Sequence, residues 1–205
     1  MVKKSKLWIE KRRKDQFHKL AFKLGYRSRA AFKLLQIAEK YPLLKKGDKV
    51  LDLGAAPGGW IQAAAKIIED EGFIYAIDAK PIQPLNLNNV KTEVLDLTSE
   101  NSISKILDLT KGKVDVVLSD ASPKFSGVLE LDAHRQYCLA KKSLEIAEET
   151  LKKGGNFLVK MLQSEELKIF REELKRKFEK VKFIKPLASR KESSEIYILC
   201  LNFTG

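Results

Sequence analysis

The sequence predicts an α/β fold: a Rossmann-like, mostly parallel sheet of seven strands with helices on both faces. Three observations lead there. From residue 49 onward, short apolar runs alternate with longer segments of helical period. The stretch VLDLGAAPGGW (50–60) reads as a strand, a glycine-rich turn and the start of a helix. Polar residues stand at the ends of several predicted strands, where ligands bind in sheets of this kind.

The elements follow in order. Residues 5–41 read as helical, with Ala31, Leu34, Leu35 and Ala38 forming an apolar stripe. Gly25 is expected to break this segment into two helices, and Pro42 with the KKGDK turn ends it. KVLDLG (49–54), FIYAID (73–78), VKTEVLD (90–96), VDVVLSD (114–120) and NFLVKML (156–162) are predicted strands. KVKFIKP (180–186) and EIYILCLN (195–202) complete the set. Helices are predicted over 58–70, 99–110, 131–152 and 164–178. Only ASRKESS links the last two strands, so they read as a hairpin with one strand antiparallel to the rest. Asp78, Asp96, Asp120 and Lys160 fall at strand ends.

A chain of 205 residues suits one domain, 1–205, here with a basic helical arm over about residues 1–46. The only cysteines are Cys138 and Cys200, with no CxxC and no histidine pair, so no metal site is expected. That usage fits a reducing cytoplasm. No apolar run approaches the ~18 residues of a membrane span, and the charged N-terminus lacks the apolar stretch of a signal peptide. The expectation is a cytoplasmic protein without membrane contact. The net charge is +12. Residues 1–46 hold fifteen Lys/Arg and three Asp/Glu, while the rest of the chain holds 24 of each sign. The excess therefore sits in the first quarter, which suggests a polyanion-binding face. A lysine-rich, heat-adapted surface is the plain alternative, but it would not confine the excess to one end.

The glycine turn narrows the ligand. A dinucleotide fingerprint needs GxGxxG, but here the turn is Gly54-Ala-Ala-Pro-Gly58-Gly59. Ala56 replaces the middle glycine, so a pyrophosphate is poorly supported. Gly58 and Gly59 still allow a nucleoside to approach. Asp78, ending the next strand, can accept hydrogen bonds from both ribose hydroxyls. Asp96, ending the third, can bind an adenine amino group. This combination suits S-adenosylmethionine, which carries a nucleoside but no phosphate.

Four further charged residues stand in apolar surroundings. Lys160 interrupts NFLVKMLQ, Asp120 follows VDVVLS, Glu195 opens the last strand, and Lys33 lies between Phe32 and Leu34. Singly, each has a structural explanation: Lys33 as a solvent-facing helix residue, Glu195 as an edge residue, Lys160 and Asp120 as an ion pair. Together with GYRSRAAFKL (25–34), DLGAAPGGW (52–60), DAKP (78–81), SDASPKFSG (119–127), LVKMLQ (158–163) and SSEIYI (193–198), they resemble the RrmJ/FtsJ family of RNA 2′-O-ribose methyltransferases. The resemblance spans roughly residues 15–203. It implies an S-adenosylmethionine-dependent methyltransferase fold with an antiparallel hairpin strand. It also implies a catalytic tetrad of Lys33, Asp120, Lys160 and Glu195, and cofactor contacts at Gly58, Trp60, Asp78, Asp96 and Asp120. Trp60 is read equally well as packing.

A ribose 2′-hydroxyl is a weak acid, so its methylation needs orientation and help with proton removal. A lysine serves as base only if its pKa falls far below the usual ~10.4. The expected roles are Lys160 as base, Asp120 orienting it, Lys33 beside it, and Glu195 positioning Lys33 or the ribose. Lys11, Arg12, Arg13, Lys14, Lys19, Arg27 and Arg29 are candidate phosphate contacts. Tyr26, Phe32 and Phe125 are candidate base-stacking residues, with packing favoured for Phe32. His18 and His134 are assigned no role. The resemblance and the compact chain point to a uridine of 23S-type ribosomal RNA in the assembled large subunit, methylated by a monomer. The same family also acts on tRNA anticodon loops and mRNA caps. A non-catalytic RNA-binding assembly factor would carry a broken tetrad, and a nicotinamide-dependent oxidoreductase would carry the missing glycine.

Overall fold

The computed structural model describes residues 15–190 and 192–205. The helix expected from residue 5, and the candidate phosphate contacts Lys11 to Lys14, lie outside the described residues up to position 14. Helix α1 (Gln16–Lys23) is capped by Asp15, whose carboxylate accepts from the His18 backbone N–H at 3.1 Å. Gly25 takes φ +73°, and the chain turns there into α2 (Ala30–Lys40). Strands β1 (Lys49–Leu53), β2 (Phe73–Asp78), β3 (Val90–Val94) and β4 (Val114–Ser119) follow, with α3 (Gly59–Ile68) and α4 (Ser102–Thr110) among them. The chain then forms α5 (Leu129–Thr150), β5 (Leu151–Leu162), α6 (Glu166–Lys175), β6 (Phe178–Ile184) and β7 (Glu195–Phe203).

The sheet order is β3-β2-β1-β4-β5-β7-β6. The pairs from β3 to β5 are all parallel, and β7 runs antiparallel to both β5 and β6. The hairpin read from sequence is present, with its second strand inserted inside the sheet rather than left at the edge.

The two-residue period of the strands sorts the core into two layers. Val50, Val116, Leu118, Leu158, Tyr197 and Leu199 pack with α2 and α3 on one face. Leu51, Leu53, Val117, Val159, Met161, Ile198 and Cys200 pack with α4, α5 and α6 on the other. In α2 the buried positions are Ala31, Phe32, Lys33, Leu34 and Ile37, whereas Leu35 and Ala38 are only half-buried.

The largest departure from expectation is β5. It starts at Leu151, directly after α5, five residues earlier than the pattern predicts. Its ladder pairs Leu151 with Val114 and then Asn156 with Val116, so the LKKGG stretch is taken up as a bulge. Gly154, at φ +80°, provides the backbone conformation that made this stretch read as a turn. The other boundaries move by a few residues: β6 begins at Phe178 and α6 is shorter at both ends.

Candidate active site

The strand order reverses between β1 and β4, and the loops leaving their carboxyl ends part there. Close approach of the two loops is built in. A Cβ on Gly54 would lie 2.4 Å from the Ala121 Cα, and Gly54 takes φ +77°. Beyond them opens a cleft of about 820 Å³, lined among others by Gly54, Ala56, Asp78, Asp96, Asp120, Lys124, Arg135 and Lys160.

The β2 and β3 side of the cleft is acidic and pre-set. Asp78 Oδ2 accepts from the Ala56 N–H at 3.0 Å and Oδ1 from the Lys80 N–H at 2.8 Å. Asp96 Oδ1 accepts from the Thr98 N–H and hydroxyl at 2.9 and 2.7 Å, and these bonds hold its carboxyl below the usual range. Both carboxylates are thus oriented while keeping acceptor capacity toward the cleft. That set fits the ribose hydroxyls and adenine amino group of S-adenosylmethionine. Its positive amino group also finds carboxylates in Asp78, Asp96 and Asp120, which share the cleft with Lys80, Lys124, Arg135 and Lys160.

Trp60 does not line this space. Its ring is 2% exposed, its Nε1 donates to the Ala30 carbonyl at 2.8 Å, and it packs against Tyr197. Gly58, at φ +109°, N-caps α3. Gly58 does not line the cleft either: it is buried beneath the Arg27 side chain, and its N–H donates to the Ala55 carbonyl at 2.7 Å.

The four expected catalytic side chains converge. Lys33 reaches inward from α2 and meets Glu195 Oε2 at 3.1 Å. Lys160 Nζ lies 3.1 Å from Asp120 Oδ1, donates to the Asp120 carbonyl at 2.8 Å, and also bonds the Ser122 hydroxyl. Lys160 is 3% exposed and Lys33 7% exposed, so both ammonium groups sit where only paired charges are tolerated.

Sequence reasoning missed the residue that joins the two pairs. The Tyr197 hydroxyl donates to Asp120 Oδ1 at 2.7 Å and accepts from Lys33 Nζ at 3.0 Å. The β5–β7 register sets Tyr197 opposite Lys160 and Glu195 opposite Leu162. Tyr197 and Glu195 share a strand face, so two-residue periodicity was the available signal. Burial pushes Asp120 upward, but Lys160, Lys33 and the Tyr197 hydroxyl outweigh it and hold the carboxyl below its usual value. Gln136 of α5, also missed, donates to the Ala121 and Lys160 carbonyls at 3.2 and 3.1 Å and ties the two strand ends together.

Asp52, beneath the cleft on β1, is fully buried, and neither carboxyl oxygen has a hydrogen-bond partner. Burial, then the nearby charges of Asp120 and Asp78, push it well above the usual carboxylate range. Among the described residues no cluster of His, Cys, Asp and Glu has the form of a metal site, and no helix is long and apolar enough to cross a membrane.

Two of the candidate phosphate contacts are engaged within the protein. Arg29 pairs with Asp15 and donates to the Ala188 carbonyl of the β6–β7 connection. Arg27 donates to the carbonyls of Pro57, Gln83 and Pro84. Of the candidate stacking residues, Phe32 packs between Phe17 and Tyr26, whereas Phe125 is 54% exposed.

The chain belongs to the FtsJ-like methyltransferase family, whose model matches residues 26–203. It is an S-adenosylmethionine-dependent methyltransferase. It is 45% identical to the ribosomal RNA large subunit methyltransferase E of Methanocaldococcus jannaschii, over all of this chain and 85% of that protein. Identity to the Methanothermobacter thermautotrophicus protein of the same name is 42%, covering 98% of this chain and 95% of the other. A crystal structure from Plasmodium falciparum, described as a ribosomal RNA methyltransferase, superposes with TM-score 0.77 and 31% identity over 88% of this chain and all of that one. Aeropyrum pernix fibrillarin, solved with natively bound S-adenosyl-L-methionine, shares the fold at TM-score 0.56 and 18% identity, over 84% of this chain and 73% of the other.

Proposed function

We propose that this chain methylates a ribose 2′-hydroxyl of large-subunit ribosomal RNA, in the assembled subunit. The observation that carries the reading is the buried array Glu195–Lys33–Tyr197–Asp120–Lys160 beside a cleft that holds Asp78 and Asp96. The names of the relatives in Methanocaldococcus and Methanothermobacter support the ribosomal substrate.

When bound, S-adenosylmethionine supplies an electrophilic methyl group. The chain's own residues present the nucleophile. Lys160, once its ammonium has released a proton to solvent, is the base that takes the 2′ proton, and Asp120 with Ser122 fixes the direction of its amine. Lys33, held by Glu195 and Tyr197, orients the ribose from the Tyr197 side of the array. Asp78 and Asp96 fix the nucleoside beside the glycine turn. The exposed basic side chains of the N-terminal region contact the RNA backbone. Ribosomal RNA as substrate implies a cytoplasmic setting.

The test is nucleoside mass spectrometry of large-subunit RNA after reaction with the enzyme. A new 2′-O-methylnucleoside is expected. A base-methylated nucleoside in its place would sink the assignment of the acceptor atom.

A further inference from the structure

Among the described basic residues of the N-terminal region, Arg27 is tied to the rim of the cleft. Its guanidinium is committed to three backbone carbonyls from two segments that border the cleft. Nη1 donates to Pro57 at 3.2 Å and to Gln83 at 2.5 Å, and Nη2 donates to Pro84 at 2.5 Å. Pro57 belongs to the glycine turn, while Gln83 and Pro84 belong to the irregular connection that leaves Asp78 at the end of β2. Pro81 and Pro84 offer no N–H, so this connection has fewer backbone donors with which to build its own turn.

Arg27 is itself fixed. Its backbone N–H donates to the Gln62 side-chain oxygen at 2.8 Å, and the Gln62 amide donates to the Gly25 carbonyl at 2.9 Å. Its side chain lies directly over Gly58, where an added Cβ would come within 3.3 Å of Arg27 Cδ and Nη1. Arg27, Ala56, Pro57, Lys80, Pro81 and Gln83 line an open recess of about 590 Å³, which shares Ala56 and Lys80 with the main cleft.

We propose that Arg27 is a positioning residue for the methyl donor: it straps the connection after β2 to the glycine turn and so closes the nucleoside end of the cleft. The inference rests on reading that cleft as the S-adenosylmethionine site. A planar fork of donors suits this task, because carbonyls from two segments must be met at fixed angles. A lysine supplies one point charge and cannot span them. Ile82, Leu85 and Leu87 pack on the core independently of Arg27, so losing the strap loosens the connection without removing its apolar anchor.

The experiment is calorimetric titration of the full chain with S-adenosylhomocysteine, for wild type, Arg27→Lys and Arg27→Ala, with RNA absent. Both variants are expected to bind at least about tenfold more weakly, as charge-assisted hydrogen bonds to the strap are lost. Steady-state assays on large ribosomal subunits are expected to show a raised KM for S-adenosylmethionine, with the KM for the subunit unchanged. Amide exchange is expected to quicken over residues 79–87 and not over β4 or β5. If Arg27→Lys binds S-adenosylhomocysteine like wild type, or if only the KM for the subunit rises, the strap is wrong and Arg27 is a phosphate contact. Failure of methyl transfer in wild type would overturn the substrate reading instead, because the titration needs no acceptor.

Discussion

Lys160 and Tyr197 face each other across the β5–β7 ladder, and that register pair decides most of the site's chemistry. Replacing Lys160 with Ala removes the proposed base, and methyl transfer is expected to fall on the order of 10²–10⁴-fold, with S-adenosylhomocysteine affinity kept. Lys160→Arg keeps the charge but not a releasable proton, so it is expected to be as inactive as the alanine variant. Near-normal turnover by the arginine variant, in single-turnover assays, would show that charge alone suffices. Tyr197→Phe takes one hydroxyl from between Lys33 and Asp120. Its expected cost, read by urea denaturation, is roughly 1–2 kcal/mol of stability. An unchanged midpoint would mean that the bridge is idle.

Asp52 gives a pH signature. Its folded pKa lies above the unfolded value, so its contribution is complete below about 4 and is lost as pH rises toward the folded value. Asn does not titrate, so the stability of cofactor-free Asp52→Asn relative to wild type is expected to increase between pH 4 and pH 8 in melting experiments. A constant difference would show that Asp52 is not held protonated. Asp120 acts with the opposite sign. Its pKa is lowered, so its stabilising share is present above about 4 and lost as acid protonates it. The sequence exposed the anomaly of each charged residue, but not the hydroxyl joining them. A tyrosine in an apolar strand looks like any core aromatic until the register places it.

At the level of elements, the segment after β4 shows how order is spent on display. Asp132, 5% exposed, accepts from the Ser126 N–H and hydroxyl and from the Gly127 N–H. Yet the braced loop presents Phe125, Val128 and Leu129 to solvent at 54, 58 and 83% exposure. It begins at Ser122, a partner of Lys160. A stacking role for Phe125 predicts that Phe125→Ala raises the KM for the ribosomal subunit several-fold while Phe125→Trp restores it, with donor affinity constant in both. Equal KM values in steady-state assays would leave Phe125 without that role. The alternation of strands and helices was legible because period 2 and period 3.6 differ sharply in VDVVLSD and in the segment that became α5. The start of β5 was not, because LKKGG carries turn chemistry and only pairing with β4 shows that it bulges within a strand. Nor could the sequence distinguish Arg27 and Arg29 from surface cations, since their carbonyl and carboxylate partners lie tens of residues away along the chain or across a turn.

Across the whole molecule, the described part of the basic region (15–46) and the proposed catalytic array are parts of one wall. Helix α2 supplies Lys33, and the connection from α1 to α2 supplies Arg27 and Arg29, which hold the glycine turn and the β6–β7 linker. RNA bound along that wall, as proposed, would abut both the cleft and the residues proposed to position the ribose. The site is spread over α2, β4, β5 and β7, and no local motif spans it.

The most direct measurement follows labelled methyl from S-adenosylmethionine into unmodified large ribosomal subunits, free ribosomal RNA and tRNA, with wild type and Lys160→Ala side by side. Label on the large subunit, recovered as a 2′-O-methylnucleoside and lost in the variant, is the predicted result. Label confined to tRNA, or label on the subunit that survives Lys160→Ala, would contradict the substrate or the base.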